Sequence, residues 1–298
     1  MTNTSTLQAH LYVLLATFLV AGSFIASQPL ANAINPFSLT LFRFLSSLII
    51  LAPFILMKKH FREKIISTLP RAMVISFFYS AYFMAFFKSL TITTILNTGT
   101  LYTLVPLITA VLAFFVFKEK ISFNKFLVYI IGLVGTLWVI FRANIELLIN
   151  FSLNSGDYIF LLGAFFMCCY SISLKYLYKQ DSIFVLVFCT LLGGCIWMGL
   201  GILVLDLPLH WEKLEGELLY YMIYLIIGTT IMTLYLYQKT TIILGPTKVM
   251  SYIYLNPIAV AFLLYILKDE HIEAVVFIGI VISATATIIL QKNARSKV

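Results

Sequence analysis

The sequence predicts an all-α integral membrane protein with ten transmembrane helices, arranged as two inverted repeats of five helices. Three observations lead to this fold class. Of the 298 residues, 61% are hydrophobic and 11% are charged, and the mean hydropathy is +1.01. The apolar residues form stretches of about 20 residues, the length that spans the hydrocarbon core of a bilayer. A segment from the first half of the chain also recurs in the second half.

The composition excludes several classes of protein. An ordinary soluble domain carries about 25% charged residues, so a soluble enzyme and a disordered chain are not expected. The net charge of +8 could suggest a nucleic-acid partner, but the distribution of the basic residues indicates membrane topology. We therefore predict no nucleic-acid partner. The cysteines lack metal-ligand spacing with a histidine and are interpreted as packing residues. We therefore predict no metal and no cofactor. The cysteines are Cys168, Cys169, Cys189 and Cys195.

Ten apolar stretches follow one another, most of them separated by short connections that leave no room for a soluble domain. The first stretch lacks a positively charged start and exceeds the 7–15 apolar residues of a signal peptide, so it is interpreted as a membrane span. In order, the predicted spans are 11–31, 37–57, 72–90, 95–117, 123–141, 158–178, 183–205, 218–238, 246–267 and 273–291.

Basic residues set the predicted orientation, because Lys and Arg accumulate in cytoplasmic loops. With the N-terminus inside, the inner segments hold 15 of the 20 Lys and Arg residues, the outer segments hold four, and Arg43 lies within a span. We therefore predict that both termini are cytoplasmic. A multi-pass protein of a bacterial inner membrane is the expected location, with the lipid bilayer as its surroundings.

The recurring segment runs from Lys88 to Glu119 and aligns without gaps to Lys239 to Glu270, with seven identities in 32 positions. Because each predicted half has an odd number of spans, the second half is expected to be inverted relative to the first, as in many secondary transporters. The predicted repeats are residues 8–142 (spans 1–5) and 156–292 (spans 6–10).

Two prolines occupy matching positions in the repeats. Pro106 and Pro257 each lie within a span, where proline removes a backbone hydrogen bond, and we expect each to kink its helix beside a cavity. Glu119 and Glu270 lie at the far ends of the same helices and are candidate gate or coupling residues. The alternative is that both are interfacial carboxylates beside lysines.

The chain resembles the drug/metabolite transporter superfamily, in particular its EamA-like members with ten spans. The resemblance is carried by NPFSLTLFRF (Asn35 to Phe44), by the segment from Pro106 to Glu119 and by its counterpart from Pro257 to Glu270. There are departures: Gly22 lacks the preceding tryptophan that is frequent in the family. The second repeat has Cys168 at the matching place and no equivalent of Arg43.

The resemblance implies a transporter of small metabolites, such as amino acids and their derivatives, nucleotides, sugars or cationic drugs. It also implies a central cavity formed by spans 1–4 and 6–9, with spans 5 and 10 at the periphery. The polar residues follow this division, since spans 3, 4, 8 and 9 are rich in Tyr, Thr and Ser, while spans 5 and 10 are nearly apolar. Gly132, Gly135 and Gly279 in the apolar pair are suited to close helix contact.

Arg43 is the clearest candidate for a binding residue, because charged residues inside spans are costly and usually serve a function. Its planar guanidinium can bind a carboxylate through two hydrogen bonds, and the alternative is a structural or snorkelling role. The remaining candidates are polar residues expected to line the cavity. They are Tyr79, Tyr82, Asn97, Thr100, Thr229, Thr233, Tyr237, Ser251, Tyr252 and Asn256.

These features predict a secondary transporter that exports or exchanges a small polar metabolite by alternating access, with an amino acid or related compound favoured. No acidic residue is expected deep in a span, which argues against proton-driven antiport through a midplane acid. No catalytic residues are predicted, because clustered nucleophiles, acid–base pairs and metal motifs are missing from the sequence. The alternatives are a polytopic membrane enzyme and a channel-like protein without alternating access.

Overall fold

The computed structural model describes residues 3–268 and 274–292. All regular secondary structure in these two ranges is helical. Within them, eight helices are long and apolar enough to cross a membrane, and a further apolar helix has 17 residues. The all-helical membrane fold is therefore confirmed. The count of ten spans stays a prediction, because the ninth predicted span is divided into shorter helical pieces.

The first half contains α1 (Asn3–Ala33), α2 (Pro36–Leu56), α3 (Lys59–Leu90), α4 (Ile95–Tyr102), α5 (Val105–Phe117) and α6 (Phe123–Ile140). The exposed helix α7 (Ile145–Ile149) connects the two halves. The second half contains α8 (Ser155–Leu177), α9 (Ile183–Leu205), α10 (Gly216–Ile226), α11 (Thr233–Leu244), α12 (Pro246–Ser251), α13 (Asn256–Lys268) and α14 (Val276–Lys292). A 3₁₀ turn (Trp211–Lys213) precedes α10, a π-helical segment (Ile227–Met232) joins α10 to α11, and a 3₁₀ segment (Tyr252–Leu255) joins α12 to α13.

Local sequence explains where several helices begin. The Asn35 side chain accepts a hydrogen bond from the Ser38 backbone nitrogen at 2.9 Å, and proline follows at the first helical position of α2. Both features satisfy or avoid the free N–H groups of a helix start. At α8, Asn154 and Asp157 form a capping box.

Helix α3 is much longer than its predicted span of 72–90, because it begins at Lys59. The additional turns carry Lys, Arg and Glu, which favour helix but lower the hydropathy on which the prediction depended. Pro70 lies inside this helix. The charged turns therefore extend a membrane-crossing helix beyond its apolar part.

The two aligned segments fold alike. The helix is interrupted at Thr103 and Leu104, between α4 and α5, and the 3₁₀ segment interrupts the corresponding helix between α12 and α13. Pro106 and Pro257 each stand at the second position of the helix that follows its interruption. Each repeat thus contributes one broken helix, at positions that are 151 residues apart in the alignment.

Helix packing follows the expected twofold relation between the repeats. Helix α3 packs on α8, and its counterpart α10–α11 packs on α1. Helices α4 and α5 contact α8, while the 3₁₀ segment and α13 contact α1. Two further contacts join equivalent helices, namely α2 with α9 and α6 with α14, and α5 contacts α12 of the other broken helix. The contacts between helices therefore follow the two-repeat architecture.

Helices α6 and α14 approach closely because glycines lie between them. A Cβ atom on Gly279 would lie 2.7 Å from the carbonyl oxygen of Gly135, and one on Gly135 would lie 2.7 Å from the Ile282 side chain. Both positions require a residue without a side chain.

The two ends of the bundle are named here by their residues. The inner end carries the connections at Lys58, Lys118 and Lys179, and the outer end carries those at Asn35, Thr93 and Asn154.

Candidate functional site

Arg43 lies in the middle of the bundle and is 1% exposed. Its Nε donates a hydrogen bond to Thr230 Oγ1 at 2.5 Å. Its Nη2 donates to the carbonyl oxygen and to Oγ1 of Thr229, both at 3.1 Å. The guanidinium carbon also lies 4.2 Å from the centre of the Phe83 ring, a cation–π contact. The cation is thus held by α2, α3 and the π-helical segment.

The π-helical segment explains why two adjacent threonines can hold one arginine. In this segment Thr230 Oγ1 donates to the Leu225 carbonyl five residues earlier, at 2.8 Å, while Thr229 Oγ1 donates to the same carbonyl at 3.1 Å. Short π-helical insertions occur often at functional sites because they displace side chains from the regular helical register. Here both hydroxyls are directed toward Arg43.

All the contacts just described are made to groups without formal charge. In the part of the chain that the structure describes, Arg43 takes part in no ion pair with a carboxylate. A buried cation is costly in a membrane unless an anion or water compensates it. The site is therefore electrostatically suited to receive an anionic group.

Aromatic side chains surround the arginine. Phe44 stacks on Tyr79 with ring centres 5.5 Å apart, and the rings of Tyr79 and Tyr82 each lie 4.9 Å from that of Phe83. The Tyr170 ring of α8 lies 4.9 Å from Tyr79. These buried rings place hydroxyl groups and π faces around the cation, which can recognise amphipathic molecules.

Among the described residues, Ser80 Oγ and Gln238 Oε1 are buried near this centre without a hydrogen-bond partner. Gln238 uses its amide nitrogen to donate to Thr190 Oγ1 at 3.0 Å, so its free carbonyl oxygen is an acceptor. An unsatisfied buried polar group costs about 1–3 kcal/mol. A ligand that donates hydrogen bonds would recover part of this cost.

Tyr170 and Gln238 were absent from the residues predicted for the site. Tyr170 lies in span 6, which was not among the Tyr- and Thr-rich spans, and Gln238 lies among the polar residues of α11. Gln238 could have been found from the sequence, because a glutamine inside an apolar stretch is expensive to bury. Tyr170 could not, since tyrosine is common in such helices.

The predicted residues divide among three places. The central group includes Arg43, Tyr79, Tyr82, Thr229, Thr233 and Tyr237, which are all buried. Thr233 of the central group donates a hydrogen bond to the Thr229 carbonyl at 2.5 Å. Thr100 of α4, another predicted residue, donates to the Leu96 carbonyl of its own helix at 2.7 Å. Such bonds leave the hydroxyl oxygen able to accept from a ligand.

The outer group is built around Asn97. Its amide donates to Asp157 Oδ2 at 2.9 Å, and Thr93 Oγ1 donates to Asp157 Oδ1 at 2.6 Å. Asp157 is fully buried in the first turn of α8. The sequence places it at the edge of a span, and the loop between α3 and α4 buries it. Asn97 therefore helps to join α4 to α8 at the outer end.

The third group lies toward the inner end, in the second broken helix. Tyr252 Oη and His10 Nδ1 share a hydrogen bond of 2.8 Å. Ser251 Oγ donates to the Lys248 carbonyl and accepts from Gln291 Nε2 at 2.8 Å. Asn256, in the same region of the chain, has a buried Oδ1 for which the described part of the chain supplies no hydrogen-bond partner.

Of the two candidate gate residues, Glu119 lies among the described residues. Glu119 follows α5 at the inner end, where its Oε2 accepts a hydrogen bond from Thr247 Oγ1 at 3.2 Å. This bond joins the end of the first broken helix to the start of the second. Glu270, its counterpart in the alignment, lies outside the described residues.

Two repeats of membrane helices that enclose a buried arginine among tyrosines are typical of a polytopic membrane protein of the transporter type. A model of the EamA-like transporter family matches residues 7–141 and 154–291. The chain belongs to the EamA-like transporter family, within the drug/metabolite transporter superfamily.

Comparison with solved structures supports the same fold. A chain described only as the crystal structure of a protein matches with a TM-score of 0.71 and 18% identity, covering 99% of this chain and 100% of its own length. At this identity the likeness concerns the fold alone. No curated protein matches this chain.

Proposed function

We propose that the protein is a secondary transporter that exports or exchanges a small polar metabolite with an anionic group, an amino acid or a related compound being favoured. The observation that carries this proposal is Arg43, a buried guanidinium whose described partners are two threonines and a phenyl ring. A substrate carboxylate would supply the missing negative charge through the two-bond geometry that guanidinium groups favour.

The groups around Arg43 support a substrate that is also a hydrogen-bond donor. Gln238 Oε1 has no hydrogen-bond partner among the described residues, and the rings of Tyr79 and Tyr170 can contact an ammonium group through their faces. An amino acid carries a carboxylate and an ammonium group close together. The proposed binding mode places the carboxylate at Arg43 and the ammonium group toward Gln238.

Alternating access is the proposed mechanism of movement. Its support is the pair of interrupted helices, because discontinuous helices at equivalent positions of inverted repeats form the binding sites of many transporters. Pro106 and Pro257 keep these interruptions from closing into continuous helices. Glu119, which reaches from one broken helix to the other through Thr247, is proposed to hold the inner end closed.

We further propose that both termini are cytoplasmic in a bacterial inner membrane, on the basis of the basic residues at the inner end. A reporter that is active only in the cytoplasm, fused after Val298, should be active. Activity of a reporter that works only outside the cytoplasm, fused at the same place, would contradict this orientation.

The substrate is identified by comparing metabolites in the medium and in cells with and without overexpression of the chain. The protein is then reconstituted in liposomes, and uptake of the labelled substrate is measured with and without unlabelled substrate inside. Stimulation by internal substrate indicates exchange by alternating access, whereas a channel shows none. A metabolite that is chemically converted rather than moved would indicate an enzyme.

Arg43→Gln should lower transport at least about tenfold, since a hydrogen bond to a charged group contributes about 1.5–3 kcal/mol. Arg43→Lys keeps the charge without the planar fork and should recover only part of the activity. Lys59→Gln, which removes an exposed charge, is the control and should transport normally. If both Arg43 variants insert normally and transport like the original protein, Arg43 has a structural role.

A further inference from the structure

A groove at the inner end of the bundle lies between α2 and α11, with α9 at its base. Its volume is about 380 Å³, within the range of about 300–1,000 Å³ that is usual for ligand sites. Leu51 and Phe54 form one wall, Ile231 and Tyr235 form the other, and Phe184 lies between them. The groove therefore lies between elements of the two repeats.

The walls of this groove are apolar and partly exposed to the surrounding membrane. Phe54 is 66% exposed and Phe184 is 50% exposed. Phe184 stacks on Tyr235 with ring centres 5.0 Å apart, and its ring lies 6.1 Å from that of Phe61. Such a surface accommodates a hydrocarbon chain that enters sideways from the bilayer.

Among the described residues that line the groove, Lys58 alone carries a formal charge, and its Nζ lies 5.5 Å from the centre of the Phe61 ring. It immediately precedes α3, between the end of the apolar helix α2 and the charged first turns of α3. A lysine at such a boundary lies near the level of lipid headgroups. The groove thus has apolar walls and a lysine at its polar end. This arrangement is complementary to an anionic lipid, which has apolar chains and a negatively charged headgroup.

The groove also adjoins the segment that holds Arg43. Ile231 lines the groove and directly follows Thr230, the acceptor for Arg43 Nε. Both residues belong to the π-helical segment Ile227–Met232. An occupant of the groove would therefore contact the helix segment that positions the buried cation.

We infer that this groove binds an anionic phospholipid, with one acyl chain along Phe54, Phe184 and Ile231 and the phosphate at Lys58. The inference goes beyond the proposed transport function and does not depend on it. The bound lipid would fill the space between α2 and α11 and support the π-helical segment from the membrane side.

The test is native mass spectrometry of the full-length protein in detergent, titrated with phosphatidylglycerol and, separately, with phosphatidylcholine of the same acyl chains. The original protein should bind phosphatidylglycerol more tightly. Lys58→Gln should weaken that binding about fivefold, the effect of one lysine near an anionic lipid, and leave phosphatidylcholine binding unchanged. Lys59→Gln is the matched control, because Lys59 is the neighbouring lysine, is 81% exposed and does not line the groove.

A second variant tests the apolar part. Ile231→Phe adds volume inside the groove and should weaken the binding of both lipids, while the protein remains monodisperse in size-exclusion chromatography. Equal binding of the two lipids by the original protein would overturn the inference, as would equal effects of Lys58→Gln and Lys59→Gln. Full competition by glycerol phosphate, which has no acyl chain, would also overturn it. These measurements do not require transport and so separate the inference from the proposed function.

Discussion

Two symmetry-related contacts of the bundle are packed differently. Helix α3 lies closely along α9, and we name this contact the closed seam. Its counterpart, α2 against α10 and the π-helical segment, is packed less closely, and we name it the open seam. The groove with Lys58 at its polar end occupies the inner half of the open seam.

The sequences of α9 and α2 explain part of the difference between the two seams. Ten and eleven residues after its first residue, α9 has Gly193 and Gly194, whereas α2 has Ser46 and Ser47 at the same positions. A Cβ on Gly193 would meet the Ser76 hydroxyl of α3, whereas one on Gly194 would lie 2.6 Å from the Phe44 ring of α2 and 3.1 Å from Ser80 Oγ of α3. Glycine therefore permits the close approach of α3 in the closed seam.

Polar contacts reinforce the closed seam as well. Trp197 Nε1 donates to the Met73 carbonyl at 3.0 Å, and Arg71 Nη2 pairs with Asp181 Oδ1 at 2.9 Å. In the open seam, the long-range hydrogen bonds are concentrated at Arg43. A difference between symmetry-related contacts is what alternating access by inverted repeats requires, so this asymmetry supports the proposed mechanism.

Among the substitutions that test the difference between the two seams, Gly193→Val in the closed seam is expected to have the largest effect. The added side chain would meet Ser76 and Met73 and force α9 away from α3, lowering the free energy of unfolding by about 3 kcal/mol, the upper part of the range for overpacking. Unfolding by SDS titration in mixed micelles measures this change. Gly199→Val is the control, because a Cβ there has no atom within 4 Å. Equal losses in the two variants would mean that Gly193 does not hold the seam together.

A smaller effect is expected from Thr230→Val in the open seam. The variant keeps the shape of the side chain but removes the acceptor for Arg43 Nε, so the free energy of unfolding should fall by about 2 kcal/mol and transport should decrease. The control is Thr240→Val, since Thr240 is equally buried and its hydroxyl bonds only to carbonyls of its own helix. If Thr230→Val behaves like Thr240→Val, the bond to Arg43 contributes little.

The smallest effect is expected from the ion pair of the closed seam. A double-mutant cycle with Arg71→Gln and Asp181→Asn should give a coupling energy of about 1 kcal/mol, because both side chains are largely buried. The same cycle on Lys59 and Glu63, which are 81% and 61% exposed and 3.8 Å apart, should give a coupling near zero. A larger coupling energy for the exposed pair would show that burial does not determine the strength of these ion pairs.

The repeat alignment from Lys88 to Glu119 shows how much of the fold could be read from the sequence. It matched Pro106 with Pro257, and the structure has an interruption before each of them. This succeeded because proline acts on its own helix within a few residues. The π-helical segment of Ile227–Met232 has no comparable sequence signal and was not predicted.

The contact between Asp157 and Asn97 could not be predicted from the sequence. Hydropathy placed Asp157 at the edge of a span, and Asn97 among the residues facing a cavity. The structure joins them by a hydrogen bond across 60 positions of sequence. Burial of the acid depends on how the loop between α3 and α4 lies over α8, which neither local pattern contains.

The sequence by itself determined the membrane class, the approximate position of most spans and the presence of two repeats, because hydrophobicity and residue type leave a record in neighbouring residues. It also singled out Arg43, since an arginine within an apolar helix is costly. Only the tertiary structure decided what surrounds that arginine. Thr230 lies 187 residues away along the chain, and the partners of a buried charge depend on which helices meet, a property of packing that no single stretch of sequence carries.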